Sequence, residues 1–173
     1  MDETPVSSVR RWRLVLAVLA GCLLLAACEA PPPDVTFYGN RNAVETGPAR
    51  WCTVDVATDS APCTESPIED IPHLTVGPGQ SVQINVPSEI GPWAVYFRYL
   101  DQNGKLADGT SETFRDGRLA YTLQPFEAQD QLIYVEVRSD LIVSSDAQGR
   151  AEFGVWALLV DPPPPAPSSM DEP

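Results

Sequence analysis

The stretch Trp93-Ala94-Val95-Tyr96-Phe97-Arg98-Tyr99-Leu100 decides the fold. Its side chains separate by alternation, with Trp93, Val95, Phe97 and Tyr99 on one face and Ala94, Tyr96, Arg98 and Leu100 on the other. Period two with aromatic and β-branched content is the signature of a β-strand. Upstream, residues 80–86 repeat the pattern, with Val82, Ile84 and Val86 opposed to Ser81, Gln83 and Asn85. Downstream, residues 118–123 offer Leu119, Tyr121 and Leu123, and residues 131–137 offer Ile133, Val135 and Val137. Residues 151–160 are apolar on both faces, Phe153, Val155 and Leu159 against Trp156, Leu158 and Val160, as a central strand requires. Shorter strand candidates lie at 35–38, 51–56 and 74–76.

Turn signals with a mechanism stand between these segments. Asn103-Gly104, Asp116-Gly117 and Gln148-Gly149 supply positive φ where hairpins need it. No stretch after residue 33 sustains a helical period. The expected architecture is therefore all-β, an antiparallel immunoglobulin-like β-sandwich over residues 34–161. The order Cys52, Cys63, Trp93 differs from the cysteine, tryptophan, cysteine order of antibody domains, so the inter-sheet bridge of those domains is excluded. Residues 57–72 read as a long acidic loop containing Asp59, Glu65, Glu69 and Asp70. Residues 162–173 begin with four consecutive prolines and read as an extended, unpacked tail.

The start of the chain has a different character. Arg10, Arg11 and Arg13 form a positive flank, and the 14 residues 14–27 are all apolar or small. That length suits the apolar region of a signal peptide and falls below the roughly 17 residues a spanning helix needs. The run ends in Leu25-Ala26-Ala27-Cys28, and here the sequence resembles a bacterial lipoprotein precursor, whose lipobox has an aliphatic residue, two small residues and a cysteine. Small side chains let an intramembrane peptidase reach the backbone, and the thiol accepts a diacylglyceryl group. Leu19-Ala20-Gly21-Cys22 fits the same box, but acylation there leaves only eight apolar residues, 14–21, before it and a greasy mature start. Cys28 is the expected lipid-attachment residue, with 1–27 as signal peptide and 28–33 as a proline-rich tether. Arg10-Arg11 also raises twin-arginine export, although Trp12-Arg13-Leu14 fits the rest of that motif poorly. Each buried methylene contributes about 0.8 kcal/mol, so a diacylglyceryl cysteine implies stable attachment at the extracytoplasmic face of the cell membrane.

Charge narrows the partners. The 173 residues carry 11 basic against 24 acidic side chains, −13 in all, and loss of residues 1–27 removes three arginines and two acids to leave −14. A nucleic-acid binder needs Lys and Arg to displace counterions, so a nucleic-acid partner is not expected. A single apolar run also excludes a helical channel or transporter. With Cys22 removed and Cys28 acylated, Cys52 and Cys63 remain as a pair, and an oxidising compartment favours a structural disulfide between them.

Catalytic chemistry is sparse. The one histidine, His73, follows Pro72 and reads as a strand-edge residue rather than a catalytic base. One histidine and a bridged cysteine pair do not furnish a zinc set, and no glycine-rich phosphate loop is present. Asp101-Gln102-Asn103-Gly104 begins like a calcium loop, but its glycine comes two positions early and Lys105 takes a ligand position, so it reads as a hairpin turn. No catalytic residue, metal or cofactor is expected.

The lipobox, the start Glu29-Ala30-Pro31-Pro32-Pro33-Asp34-Val35-Thr36-Phe37-Tyr38, the cysteine pair and Trp93 to Tyr99 together resemble a family of lipoproteins from actinobacteria, a domain of unknown function. That resemblance implies no activity and no binding residues. The expected function is a non-catalytic, lipid-anchored envelope protein that binds another envelope protein or a cell-wall component. Two alternatives stay open. One is a small-ligand or cation-binding lipoprotein using the acidic loop 59–70, and the other a carboxylate-based hydrolase with two acids on one cleft wall.

Overall fold

The computed structural model describes residues 31–55, 58, 60–140, 142–143 and 150–165. The expected signal peptide 1–27, both lipobox cysteines (Cys22 and Cys28), the Gln148-Gly149 turn and the tail from 166 on lie outside the described residues. The strands in chain order are β1 (Val35–Gly39), β2 (Asn42–Thr46), β3 (Arg50–Asp55), β4 (Cys63–Glu65), β5 (His73–Thr75) and β6 (Val82–Asn85). They continue as β7 (Trp93–Leu100), β8 (Leu106–Thr110), β9 (Ala120–Leu123), β10 (Gln131–Ser139), β11 (Ile142–Val143) and β12 (Arg150–Asp161). Among the described residues the only helical element is a 3-10 turn, Ile68–Asp70.

Two sheets pack on one apolar core. The smaller runs β2-β1-β6-β9, and the larger runs β4-β3-β12-β10-β7-β8, with β5 and β11 also paired to β12. Neighbours are antiparallel except for β5, which lies parallel to β12. Alternation explains the packing. Val82, Ile84 and Val86 from one sheet, and Trp93, Val95 and Phe97 from the other, are buried against each other with Val135, Val137, Trp156 and Leu158. β12 is the central strand expected. Its first half pairs with β3, its last three residues pair with β5, and β10 runs along its other edge.

Three details depart from the simple alternation. A bulge in β10 shifts the register between Leu132 and Tyr134, so Leu132 is buried and Ile133, expected inside, is only half-buried. Leu119 precedes β9 and is exposed; its carbonyl accepts from the Val86 N–H at 2.9 Å. Residues 57–72, expected as one irregular loop, instead contain β4 and the 3-10 turn, because β4 returns along β3 as a hairpin.

The turns obey local chemistry. Gly104 and Gly117 take φ of 72° and 73°, as anticipated. In the β7–β8 turn, Asp101 Oδ1 accepts from the N–H groups of Asn103 at 2.8 Å and Lys105 at 2.9 Å. The Lys105 N–H in particular holds the Asp101 carboxyl below the usual carboxylate range. The β1–β2 connection is a two-residue turn with Asn40 at φ 47° and Arg41 at φ 64°, the conformation that matches strand twist.

Gly109 shows how closely a side chain crosses the neighbouring strand within the larger sheet. It sits opposite Phe97 in the β7–β8 ladder, and a Cβ built on it runs into the Phe97 ring. That ring is buried in the core and has no free direction in which to retreat. Gly109→Ala is therefore expected to destabilise by about 1–3 kcal/mol through overpacking. The midpoint of urea unfolding measures it, and an unchanged midpoint contradicts the close approach.

Candidate functional site

Three places on the described sandwich deserve a chemical reading: the point where the chain enters it, the segment around the disulfide, and the outer face of the larger sheet. At the entry point, Trp156 lies fully buried on the inner face of β12, with its ring edge-on to Trp51 at 6.1 Å between centroids. A buried indole N–H requires an acceptor. Trp156 Nε1 donates to the Pro33 carbonyl at 2.9 Å. The last residue of the expected tether is thus fastened to the core two residues before β1 begins.

The disulfide forms as expected. Cys52 in β3 and Cys63 in β4 are directly opposite in the ladder, 4.1 Å apart at Cα, with Cys52 buried and Cys63 exposed. The acidic residues beside it do not converge. Glu65 is paired with Arg50 at 2.7 Å, Glu69 and Asp70 are exposed on the 3-10 turn, and Asp59 lies outside the described residues. No group of three or more His, Cys, Asp or Glu that could hold an ion occurs among the described residues. His73, exposed in β5, donates from Nδ1 to Asp161 Oδ2 at 3.0 Å across the parallel pair.

The outer face of the larger sheet carries a connected ladder of polar and aromatic side chains. In β10, Glu136 is only 8% exposed although it points away from the core, because its neighbours cover it. Tyr134 Oη donates to Glu136 Oε2 at 2.6 Å, and Arg138 Nε donates to Glu136 Oε1. Arg138 lies over the Tyr96 ring in β7, 4.9 Å from its centroid. Next along the sheet, Arg98 Nε donates to Asp108 Oδ1 in β8 at 3.0 Å. Burial first, then the Glu136 carboxylate, push the Tyr134 phenol up, and a hydrogen bond with Asp108 raises that of Tyr96. Both carboxylates are matched by guanidinium groups, so this face is locally neutral on a strongly acidic chain.

Residues 28–161 match a family model described as Protein of unknown function (DUF2771). The chain belongs to this family. No curated protein and no solved structure matches it. The DUF2771 match ends at Asp161, the last residue of β12, and takes in the entry point, the disulfide and the outer-face ladder.

What the DUF2771 ladder can do chemically is present a rigid surface. Tyr96, Tyr134 and Arg138 are fixed by mutual contacts, so little side-chain entropy remains to be lost on contact with a partner, and Tyr and Arg are the side chains that dominate binding energies. Sequence reasoning did not assemble this group. Period two places Tyr134, Glu136 and Arg138 on one face, and that was a usable signal. Their meeting with Tyr96 depends on the β10–β7 register, in which Glu136 faces Tyr96.

Proposed function

We propose that the protein is a non-catalytic, lipid-anchored binding module of the cell envelope. Cys28 carries the diacylglyceryl group, and an immunoglobulin-like sandwich presents its outer-face ladder to another envelope protein or a cell-wall component. The immunoglobulin-like reading rests on strand order. From β5 onward, β6 pairs with β9 in one sheet while β12, β10, β7 and β8 line up in the other. Trp93, buried at the start of β7, occupies the place of the core tryptophan of such domains. The β1–β2 and β3–β4 hairpins are additions before that set.

The observation that carries the reading is the hydrogen bond from Trp156 to Pro33. With Pro33 fastened, only residues 29–32 separate an acylated Cys28 from the sandwich. Four residues of extended chain reach about 12 Å at ~3.1 Å each, so the domain is held close to the headgroups. Its net −14 after loss of residues 1–27 repels anionic lipid and keeps the sheet faces open to a partner.

Two measurements test this. Metabolic labelling with a fatty-acid probe is expected to mark the wild-type and Cys22→Ser chains but not Cys28→Ser, which should leave the membrane fraction. Label surviving in Cys28→Ser refutes the anchor. A photo-crosslinker at Tyr96 is expected to capture one envelope component in whole cells, and Arg138→Ala should reduce that capture about tenfold, the scale of a residue contributing ~1.4 kcal/mol at an interface. Equal capture by both chains refutes the ladder as the contact face.

A further inference from the structure

At the end of the smaller sheet remote from Pro33, the β1–β2 turn and the segment leading into β6 enclose an open concavity of about 560 Å3, lined by Asn40, Arg41, Gly79, Gln80 and Ser81. The register builds it. Thr36, Phe37 and Tyr38 face Asn85, Ile84 and Gln83, and the same antiparallel count brings Ser81 beside Asn40. Gly79 N–H donates to the Asp130 carbonyl at 2.9 Å and Gln80 N–H to that of Gly77 at 3.2 Å, which holds the second wall in place. No carboxylate lines the concavity, on a chain with 24 acidic residues.

Its side chains have spare donors. Arg50, Arg98, Arg115, Arg118 and Arg138 each pair with a carboxylate, whereas Arg41 makes no ion pair among the described residues. Gln80 Oε1 accepts from the Gly77 N–H at 3.0 Å, which leaves the amide NH2 of Gln80 free to donate. The Asn40 amide and the Ser81 hydroxyl make no hydrogen bond among the described residues. Arg41 is also a disfavoured choice for its place. It holds φ 64° at the second position of a two-residue hairpin turn, where glycine is the usual occupant and a bulky side chain is rare. Turn geometry therefore does not account for the guanidinium.

We propose that this concavity binds a small, singly charged, hydroxyl-rich carboxylate, a sugar acid, with Arg41 as the partner of the anion. Charge sets the class. One guanidinium balances one negative charge, and a chain of net −13 disfavours the second charge of a phosphate monoester. The planar fork of Arg41 matches the two coplanar oxygens of a carboxylate. Asn40, Gln80 and Ser81 supply the neutral polar groups that neighbouring hydroxyls need. A volume of about 560 Å3 suits a ligand of that size. Location argues against the phosphodiester of a lipid headgroup, which is also singly charged. The five residues of β1 span about 17 Å between the entry of the chain and the concavity, so in a chain anchored through Cys28 the site lies at the end far from the headgroups. Only that last step rests on the anchored reading.

The test is a titration of the intact chain in detergent micelles with sodium glucuronate, followed by amide resonances, for wild type and Cys28→Ser alike, so that loss of the anchor and loss of the site are separate outcomes. Saturable shifts are expected at Arg41, Gly79 and Ser81 in both chains, and they should weaken as salt is added. Neutral glucose and the phosphodiester glycerophosphoglycerol are expected to leave those resonances in place. Arg41→Gly suits the turn, so its melting temperature should equal or exceed that of wild type, while its affinity for glucuronate, read at Gly79 and Ser81, falls about tenfold or more. The site is overturned by a wild type without saturable shifts, by glucose shifting the same resonances equally, by a stronger response to glycerophosphoglycerol, or by an Arg41→Gly chain that binds glucuronate as wild type does.

Discussion

Trp156→Ala is expected to lose about 3–5 kcal/mol of stability, the range for deleting a fully buried aromatic side chain. Against a total of ~5–15 kcal/mol for a domain, that is a large fraction. The reason is position. Trp156 lies fully buried at the middle of β12, packs edge-on against Trp51, and is the only described side chain that ties the incoming segment to the core, through Pro33. Removing it empties a core volume beside Trp51 and the Pro33 carbonyl. Trp156→Phe keeps one six-membered ring in the site but deletes the N–H donor together with part of the indole volume, leaving the Pro33 carbonyl without its donor. That variant should lose ~1–3 kcal/mol, less than alanine. Urea unfolding followed by tryptophan fluorescence measures both. If alanine costs no more than phenylalanine, the packing account of Trp156 is wrong.

The sequence displays the parts of this fold that bury a face on both sides of a strand. Trp93–Leu100 is a strand over the eight residues that alternation marks, since Trp93, Val95 and Phe97 are buried in the core and Tyr99 packs against it. β2 and β8 are different. Asn-Ala-Val-Glu-Thr and Leu-Ala-Asp-Gly-Thr carry few β-formers and are half or wholly exposed, and they are strands because β1 and β7 offer them a ladder. Gly109 reads as a loop residue until Phe97 is seen to lie across it. The bulge at Ile133 adds one residue to β10, and no local pattern announces it, since Ile133 and Leu132 are both good core residues. Asn40-Arg41 contains no glycine, so the tightest hairpin turn gave only its asparagine as a signal. The outer-face ladder was half legible. Tyr134, Glu136 and Arg138 share a face by alternation, while the contact of Arg138 with Tyr96 needed the β10–β7 register to be known.

Reduction of the Cys52–Cys63 bridge is expected to lower stability by about 3 kcal/mol, the closure entropy of a loop with its 11-residue separation. The native side of the equilibrium says where the loss appears first. β4 has three residues, all exposed, so burial contributes little to holding it on β3. Apart from the bridge it is kept by ladder bonds, by Thr53 N–H to the Pro62 carbonyl at 3.1 Å and Asp55 N–H to the Ser60 carbonyl at 2.9 Å, and by the exposed Arg50–Glu65 pair. An exposed ion pair is worth ~0–1 kcal/mol, so it does not replace the crosslink. β3 itself stays in place, because its other edge pairs with β12 along its whole length. Two readouts should therefore separate on adding reductant. The urea midpoint falls, and hydrogen exchange at Thr53 and Asp55 accelerates far more than at Val135 or Val137 in the core. A Cys52→Ala/Cys63→Ala chain should reproduce both effects without reductant. A reduced chain with the oxidised midpoint would mean that closure entropy is not what this bridge supplies, and equal acceleration at all four amides would mean that β4 is not the weak element.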